Sequence, residues 1–372
     1  MEPLFTPSKI NKLNLKNRII RSATWEGMCD ENGKPSFKLI DYYRELAKGG
    51  TGLIISGYTF VRKDGKQLNG KMGIDTDEFE NEFKKLTKAV HEQDSKIAIQ
   101  LVHAGGQTDS KTISSLAPSS IKHPQFPKIP KELSIEQIKD IVQAFANSAF
   151  RAKQWGFDAV QIHGAHGYLI NQFLSSALNK RADKYGSQNL ENKSRFLFEV
   201  YDAIRSKVGN DYPVFIKLNG DDWIENGFNI NEAIKVAKQL SKKGINAIVV
   251  SSGTAVSKDL SPVRTKINTD EKQAYNLDLA FKIKQVVDCP IISVGGFKSF
   301  EIAQNALKEK KADFVAFSRP LICEPDLANR WQYHDKSPSK CISCNKCFMP
   351  GITEGGIYCV VQKRIKEKAS QQ

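Results

Sequence analysis

Residues 161–169 read QIHGAHGYL, with His163 and His166 three positions apart and Tyr168 two beyond. In a chain with only six histidines, such a pair could ligate a metal, act as acid and base, hold a substrate or fill a core. A metal needs both imidazoles on one helix face and a third ligand. Here the first histidine closes a β-like run, GAHG turns the chain, and no partner carboxylate stands close by. As neutral imidazoles the two could donate hydrogen bonds to one carbonyl oxygen and polarise it. Tyr168 would stand beside them as a neutral proton donor. A satisfied core position is the commoner fate of either histidine alone, but three polar residues at one strand end favour chemistry.

Further constellations lie elsewhere. PIISVGGF carries Gly295 and Gly296, and FVAFSRP carries Ser318 and Arg319. Glycines that admit backbone N–H groups and an arginine that binds bidentately suit a phosphate, although Gly-Gly alone marks only a tight turn. Lys217 near the end of PVFIKLN could be a buried cation or, as a runner-up, the lysine of a Schiff-base aldolase. The C-terminal run CISCNKCFMPGITEGGIYC spaces Cys341, Cys344, Cys347 and Cys359 as C-x2-C-x2-C-x11-C. Three close thiolates and a later fourth fit a [4Fe–4S] cluster; zinc sites more often show two separated pairs. Cys29, Cys289 and Cys323 read as isolated, inert thiols.

These residues must be positioned by a common scaffold. Eight short apolar runs recur at 18–23, 51–56, 96–102, 157–163, 213–219, 246–252, 290–295 and 313–318. They lack strict polar alternation, as parallel strands covered on both faces do. Amphipathic stretches at 134–154, 230–244 and 299–311 lie between them. Eight strand–helix alternations predict an α/β TIM (β/α)8 barrel over residues 1–334, with a loop insertion at 103–134 after strand three and a cysteine-rich extension over 335–372. Active sites of such barrels form at the C-terminal strand ends. Gln100, His163, Lys217, Gly253, Gly295, Gly296 and Arg319 all fall there.

Composition sets the bounds. Hydrophobic residues make up 40% of 372, enough for a core. No run of about 18 apolar residues predicts a membrane span, and the N-terminus MEPLFTPSKI has no secretory pattern, so the expected location is cytoplasmic. The net charge of +14 is scattered along the chain, which argues against nucleic acid and for phosphate-bearing ligands.

FDAVQIHGAHGYLINQFLSSALNKRADKYG closely resembles the signature of the old yellow enzyme family, and QLVHAGGQ and RSATWEG look like that family too. The similarity runs from about residue 2 to residue 360. It implies a TIM barrel with FMN at its C-terminal rim and NADH or NADPH as reductant. By position, His163 and His166 match the pair that grips a substrate carbonyl, and Tyr168 matches the proton donor. The implied cofactor-binding set is Ala23, Thr24, Trp25, Gly57, Gln100, His163, Lys217, Ser252, Gly253, Gly295, Gly296, Ser318 and Arg319. Trp25 stands where relatives more often carry Cys, Thr or His, and Lys217 where an Arg is common. YGSQNLENKSRF departs from the usual pattern by an inserted residue and by Lys193 for Arg.

The cysteine segment is similar to the cluster region of trimethylamine dehydrogenase and 2,4-dienoyl-CoA reductase, larger members of the family. The second nucleotide-binding region of those proteins is not found within the 372 residues, so a cluster is expected to exchange electrons with a partner protein or to serve structure. The expected activity is reduction of a small enone or enoyl substrate, hydride coming from flavin N5 and a proton from Tyr168. An FMN/iron–sulfur dehydrogenase passing electrons to a partner is the alternative, followed by the aldolase and a non-catalytic redox carrier. A homo-oligomer is possible; nucleic acid and membrane are not expected as partners.

Overall fold

The computed structural model describes residues 2–108, 114–126 and 128–371. Eight parallel strands close into a barrel: β1 (Ile19–Arg21), β2 (Leu53–Phe60), β3 (Lys96–Val102), β4 (Ala159–Gly164), β5 (Val214–Asn219), β6 (Ala247–Ser251), β7 (Ile291–Val294) and β8 (Phe314–Phe317). Each pairs with the next, and β8 pairs with β1 to complete the ring. Each predicted apolar run overlaps one of these strands, because strands buried on both faces need largely apolar sequence; β2 continues four residues past its run, to Phe60, and β4 one past its run, to Gly164. A hairpin of Ser8–Ile10 and Leu13–Leu15 precedes the barrel.

The outer layer is formed by α1 (Phe37–Lys48), α2 (Glu80–His91), α3 (Ile135–Gln154), α4 (Leu190–Val208), α5 (Ile230–Lys242), α6 (Leu277–Lys284), α7 (Phe300–Lys308) and α8 (Leu327–Tyr333). Local chemistry fixes several starts. Ser134 and Gln137 form a capping box at α3, and Asn229 and Glu232 another at α5, each meeting amide groups that the first turn leaves unpaired. The 103–134 segment contains a short parallel pair, Leu116–Ala117 with Lys131–Glu132; residues 109–113 and 127 lie outside the described residues.

Two apolar cores follow from the two-residue alternation of a strand. Val160, Ile162, Ile216, Leu218, Ile248 and Val250 face the helices. Ala98, Ala159, Phe215, Ala247, Val249 and Ala316 fill the barrel interior together with Ile10, Leu13 and Leu15 of the hairpin, which plug its floor. Continuing the interior positions toward the strand ends replaces apolar residues with polar ones. Ala98 gives way to Gln100, Ala159 to Gln161 and His163, Phe215 to Lys217, Val249 to Ser251 and Ala316 to Ser318. The barrel is thus dry at the floor and polar at the rim where an active site belongs. Among the described residues no helix is long and apolar enough to cross a membrane.

Candidate active site

Strand register brings the rim residues together. Lys217 pairs directly with His163 across β5 and β4, and Gln100 pairs with Gln161 across β3 and β4, its side-chain amide donating to Gln161 Oε1 at 2.7 Å. A cavity of about 220 Å³ opens above them. Its wall includes Ala23, Thr24, Trp25, Gln100, His163, His166, Tyr168, Lys217, Gly295, Gly296, Ser318 and Arg319, residues from six segments well separated in sequence. The structure therefore gathers twelve of the fifteen expected catalytic and flavin-site residues. Gly57, Ser252 and Gly253 stand outside that wall. Gly57 is packed behind it, its N–H donating to Glu26 at 3.1 Å. Ser252 donates to Asn276 Oδ1 at 2.6 Å, so it orients a wall residue. Gly253 carries the chain away at φ +80°, where an added Cβ would come within 2.2 Å of Leu260 O.

The imidazoles of His163 and His166 lie 5.1 Å apart, and the ring of Tyr168 is 4.8 Å from that of His163. His163 Nδ1 accepts the backbone N–H of Ala165 at 3.2 Å, which leaves the ring proton on Nε2. His166 Nε2 meets Ser251 Oγ at 2.8 Å. His166 itself adopts φ 62°, the left-handed turn that GAHG requires, and Gln107 steadies it by donating to its carbonyl at 2.9 Å. Burial holds both imidazoles well below the usual histidine range; the charge of Lys217 adds to this in each, as His166 does for His163. Both rings are therefore neutral donors at neutral pH. Burial raises the Tyr168 phenol, while the hydroxyl donates to Gln67 Oε1 at 3.0 Å. Tyr58 packs edge-on against it at 5.2 Å.

On the opposite wall, Gly295 and Gly296 follow β7 at φ 135° and 75°, a backbone course that only glycine takes without strain. Arg319 donates to Arg264 O at 2.8 Å and to Asn345 Oδ1 at 2.6 Å. Ser318 and Thr24 share a hydroxyl contact at 2.7 Å. Lys217 Nζ reaches Ser22 Oγ at 3.3 Å, and burial, then the charge of Arg21, lowers its pKa to about 7. Among the described residues the wall carries Lys71, Lys217, Lys298 and Arg319 and not one Asp or Glu. A phosphorylated, polar-edged ring system fits such a donor set: glycine backbone and arginine for a phosphate, Gln100 and Lys217 for a ring edge rich in carbonyls.

Several wall residues were not evident in the sequence. Lys71 and Tyr58 come from the β2 side, and Ser343 and Phe348 from the C-terminal segment. That segment is tied to the barrel: Ile357 N donates to Glu26 O at 2.9 Å and Ser339 N to Lys298 O at 2.9 Å. Cys341, Cys344, Cys347 and Cys359 border one cleft of about 20 Å³ together with Arg319 and Cys323. Cys323 is thus no isolated thiol; its sulfur lies 3.6 Å from that of Cys359. Among the described residues no three His, Cys, Asp or Glu side chains are placed as a ligand set for a metal ion.

Comparison with known proteins agrees with this geometry. Residues 3–337 match the NADH:flavin oxidoreductase / NADH oxidase family. The chain is 37% identical over 349 residues to an NADH oxidase of Thermoanaerobacter brockii, covering 92% of this chain and 52% of that protein. It is 36% identical over 330 residues to an NADPH dehydrogenase of Bacillus subtilis strain 168, covering 87% and 93%. The solved structure of a 2-naphthoyl-CoA reductase in complex with 2-naphthoyl-CoA superposes with a TM-score of 0.88 at 30% identity, over 96% of this chain and 56% of that one. The chain spans about half the length of the first and third of these. By sequence, by barrel topology and by the residues at its rim, the chain belongs to the NADH:flavin oxidoreductase / NADH oxidase family, the flavin-dependent oxidoreductases of old yellow enzyme type.

Proposed function

We propose that the chain binds FMN at this rim and reduces the activated C=C bond of an α,β-unsaturated carbonyl compound at the expense of NADH or NADPH. The observation that carries the reading is the grouping of two neutral imidazoles and a neutral phenol in one cavity whose far wall offers paired glycines and Arg319. Arg319, Ser318 and Gly296 would hold the phosphate, and Gln100 and Lys217 the pyrimidine edge. The chemistry FMN supplies when bound is delivery of a hydride, received from a nicotinamide, to the β-carbon of the alkene.

The rest falls to the side chains. Negative charge develops on the carbonyl oxygen as the alkene is reduced. His163, fixed as the Nε2–H tautomer, and His166 stabilise that charge, each by about 2–4 kcal/mol. Tyr168 keeps its proton because burial disfavours phenolate, and gives it to the α-carbon. Lys217 regains full charge when an anionic edge approaches, since an opposite charge raises an amine's pKa. The FMN-loaded protein, given NADH or NADPH and 2-cyclohexenone without oxygen, should yield cyclohexanone. Formation of the allylic alcohol, or no product with either nicotinamide, would refute the assignment.

A second reading concerns the four C-terminal cysteines. Their sharing of one cleft favours a [4Fe–4S] cluster, and Arg319 borders both that cleft and the main cavity. The cluster would link the flavin site to an electron-transfer partner. Anaerobically purified protein is expected to hold about four iron and four sulfide per chain; zinc in their place would point to a structural metal.

A further inference from the structure

Lys71 precedes the short strand Met72–Gly73, which pairs with Thr59 and Phe60 at the outer end of β2 and so fixes this segment over the rim. The lysine is 4% exposed and lines the same cavity as His163, His166 and Tyr168. Its ammonium sits 4.5 Å from the ring centre of Tyr58 and 5.3 Å from that of Trp25. Among the described residues no hydrogen bond or salt bridge reaches it. Glu26 is the carboxylate whose charge it feels, but Glu26 already accepts from Arg21 at 2.7 Å, Tyr43 at 2.6 Å and Gly57 N at 3.1 Å.

The other cations of the wall have partners. Lys217 reaches Ser22, Lys298 donates to Ile267 O at 3.0 Å, and Arg319 is held by Arg264 O and Asn345. Attraction to two aromatic faces offsets only part of the cost of burying an ammonium; burial lowers Lys71 to about 7 accordingly. A buried, unpaired cation facing a cavity that carries no acid among the described residues is completed by an anionic ligand.

We propose that Lys71 determines substrate specificity by binding a carboxylate, so that the substrate is an α,β-unsaturated carbonyl compound carrying a separate carboxylate group. The histidine pair takes the activating carbonyl and Lys71 the carboxylate. The inference rests on the ene-reductase reading above and extends it to a substrate class.

The test uses (E)-4-oxopent-2-enoate and its methyl ester, one charged and one neutral, on FMN-loaded wild type, Lys71→Met and Lys71→Arg. Turnover gives kcat/KM, and calorimetry gives Kd without turnover. Wild type should prefer the acid. Lys71→Met should lower the acid-to-ester ratio of kcat/KM by about 10- to 100-fold, the range for a hydrogen bond to a charged group. The change should appear in KM and Kd rather than in kcat, and Lys71→Arg should restore most of the preference. An unchanged ratio in Lys71→Met overturns the proposal, as does an arginine variant that behaves like the methionine one, or an effect confined to the KM for NAD(P)H. Should wild type reduce neither compound, the ene-reductase reading fails, while the Kd values still decide whether Lys71 holds the carboxylate.

Discussion

Replacing Tyr168 with Phe is expected to slow alkene reduction by about 10²- to 10⁴-fold, the usual contribution of a positioned general acid. The neutral phenol stands beside the histidine pair in the cavity, 4.8 Å from His163 between ring centres. Phe keeps the ring that packs against Tyr58, so the loss isolates the proton. Reduction of the flavin by NAD(P)H needs no proton from this hydroxyl and should slow far less. Stopped-flow spectroscopy separates the two half-reactions by following bleaching and recovery of flavin absorbance. Equal slowing of both would remove Tyr168 from the proton-donor role and make it a residue that merely shapes the pocket.

The second large effect is expected at the histidines. His163→Ala or His166→Ala should each reduce the rate of alkene reduction by about 30- to 1000-fold, corresponding to 2–4 kcal/mol for one donor aimed at a developing oxyanion. The double variant should lose less than the product of the two single effects, because both donors serve one oxygen. Phenols, whose oxygen would bind in place of the carbonyl, should bind more weakly to each variant; spectral titration of the flavin reads this. His166 is the more sensitive position structurally. Its φ of 62° penalises alanine, so His166→Asn, a residue that tolerates the left-handed region, serves as the control for backbone strain.

The barrel was legible in the sequence because all eight strands are covered on both faces and so read as unbroken apolar runs. β3 matches its run at both ends, Lys96 to Val102, and α3 begins one residue after its capping serine at 134. Most of the rim was legible for a related reason. Once a run is assigned to a barrel strand, the two-residue alternation sends Gln161 and His163, or Phe215 and Lys217, to the same interior side. The remainder depends on events that local pattern does not encode. The register of β2 shifts between Ile55 and Tyr58, and Gly57, within that shift, is packed behind the wall while Tyr58 lines it. Lys71 owes its place to a two-residue strand pairing, too short to leave a periodic signal. Cys323 meets Cys359 only because the segment after α8 folds back over the rim, bringing residues 36 apart within 3.6 Å. Ser343 and Phe348 join the cavity wall by the same fold-back.

That fold-back also gives physical content to the departure at Trp25. An added Cβ on Gly351 would lie 3.2 Å from the Trp25 ring, and the Trp25 indole donates to Gly70 O at 3.3 Å. Trp25 is therefore clamped between the C-terminal segment and the turn that bears Lys71. A small residue there would leave both walls of the pocket loose.

On the proposed function, the rim of this barrel is a flavin phosphate site facing the two imidazoles. Fluorescence titration of FMN with the purified chain tests it most directly, with riboflavin lacking the phosphate as the comparison. Saturation is expected at one FMN per chain, with markedly weaker binding of riboflavin, because Arg319 and the Gly295–Gly296 turn then have no phosphate to hold. A chain that takes up no FMN, or binds riboflavin equally well, would contradict it.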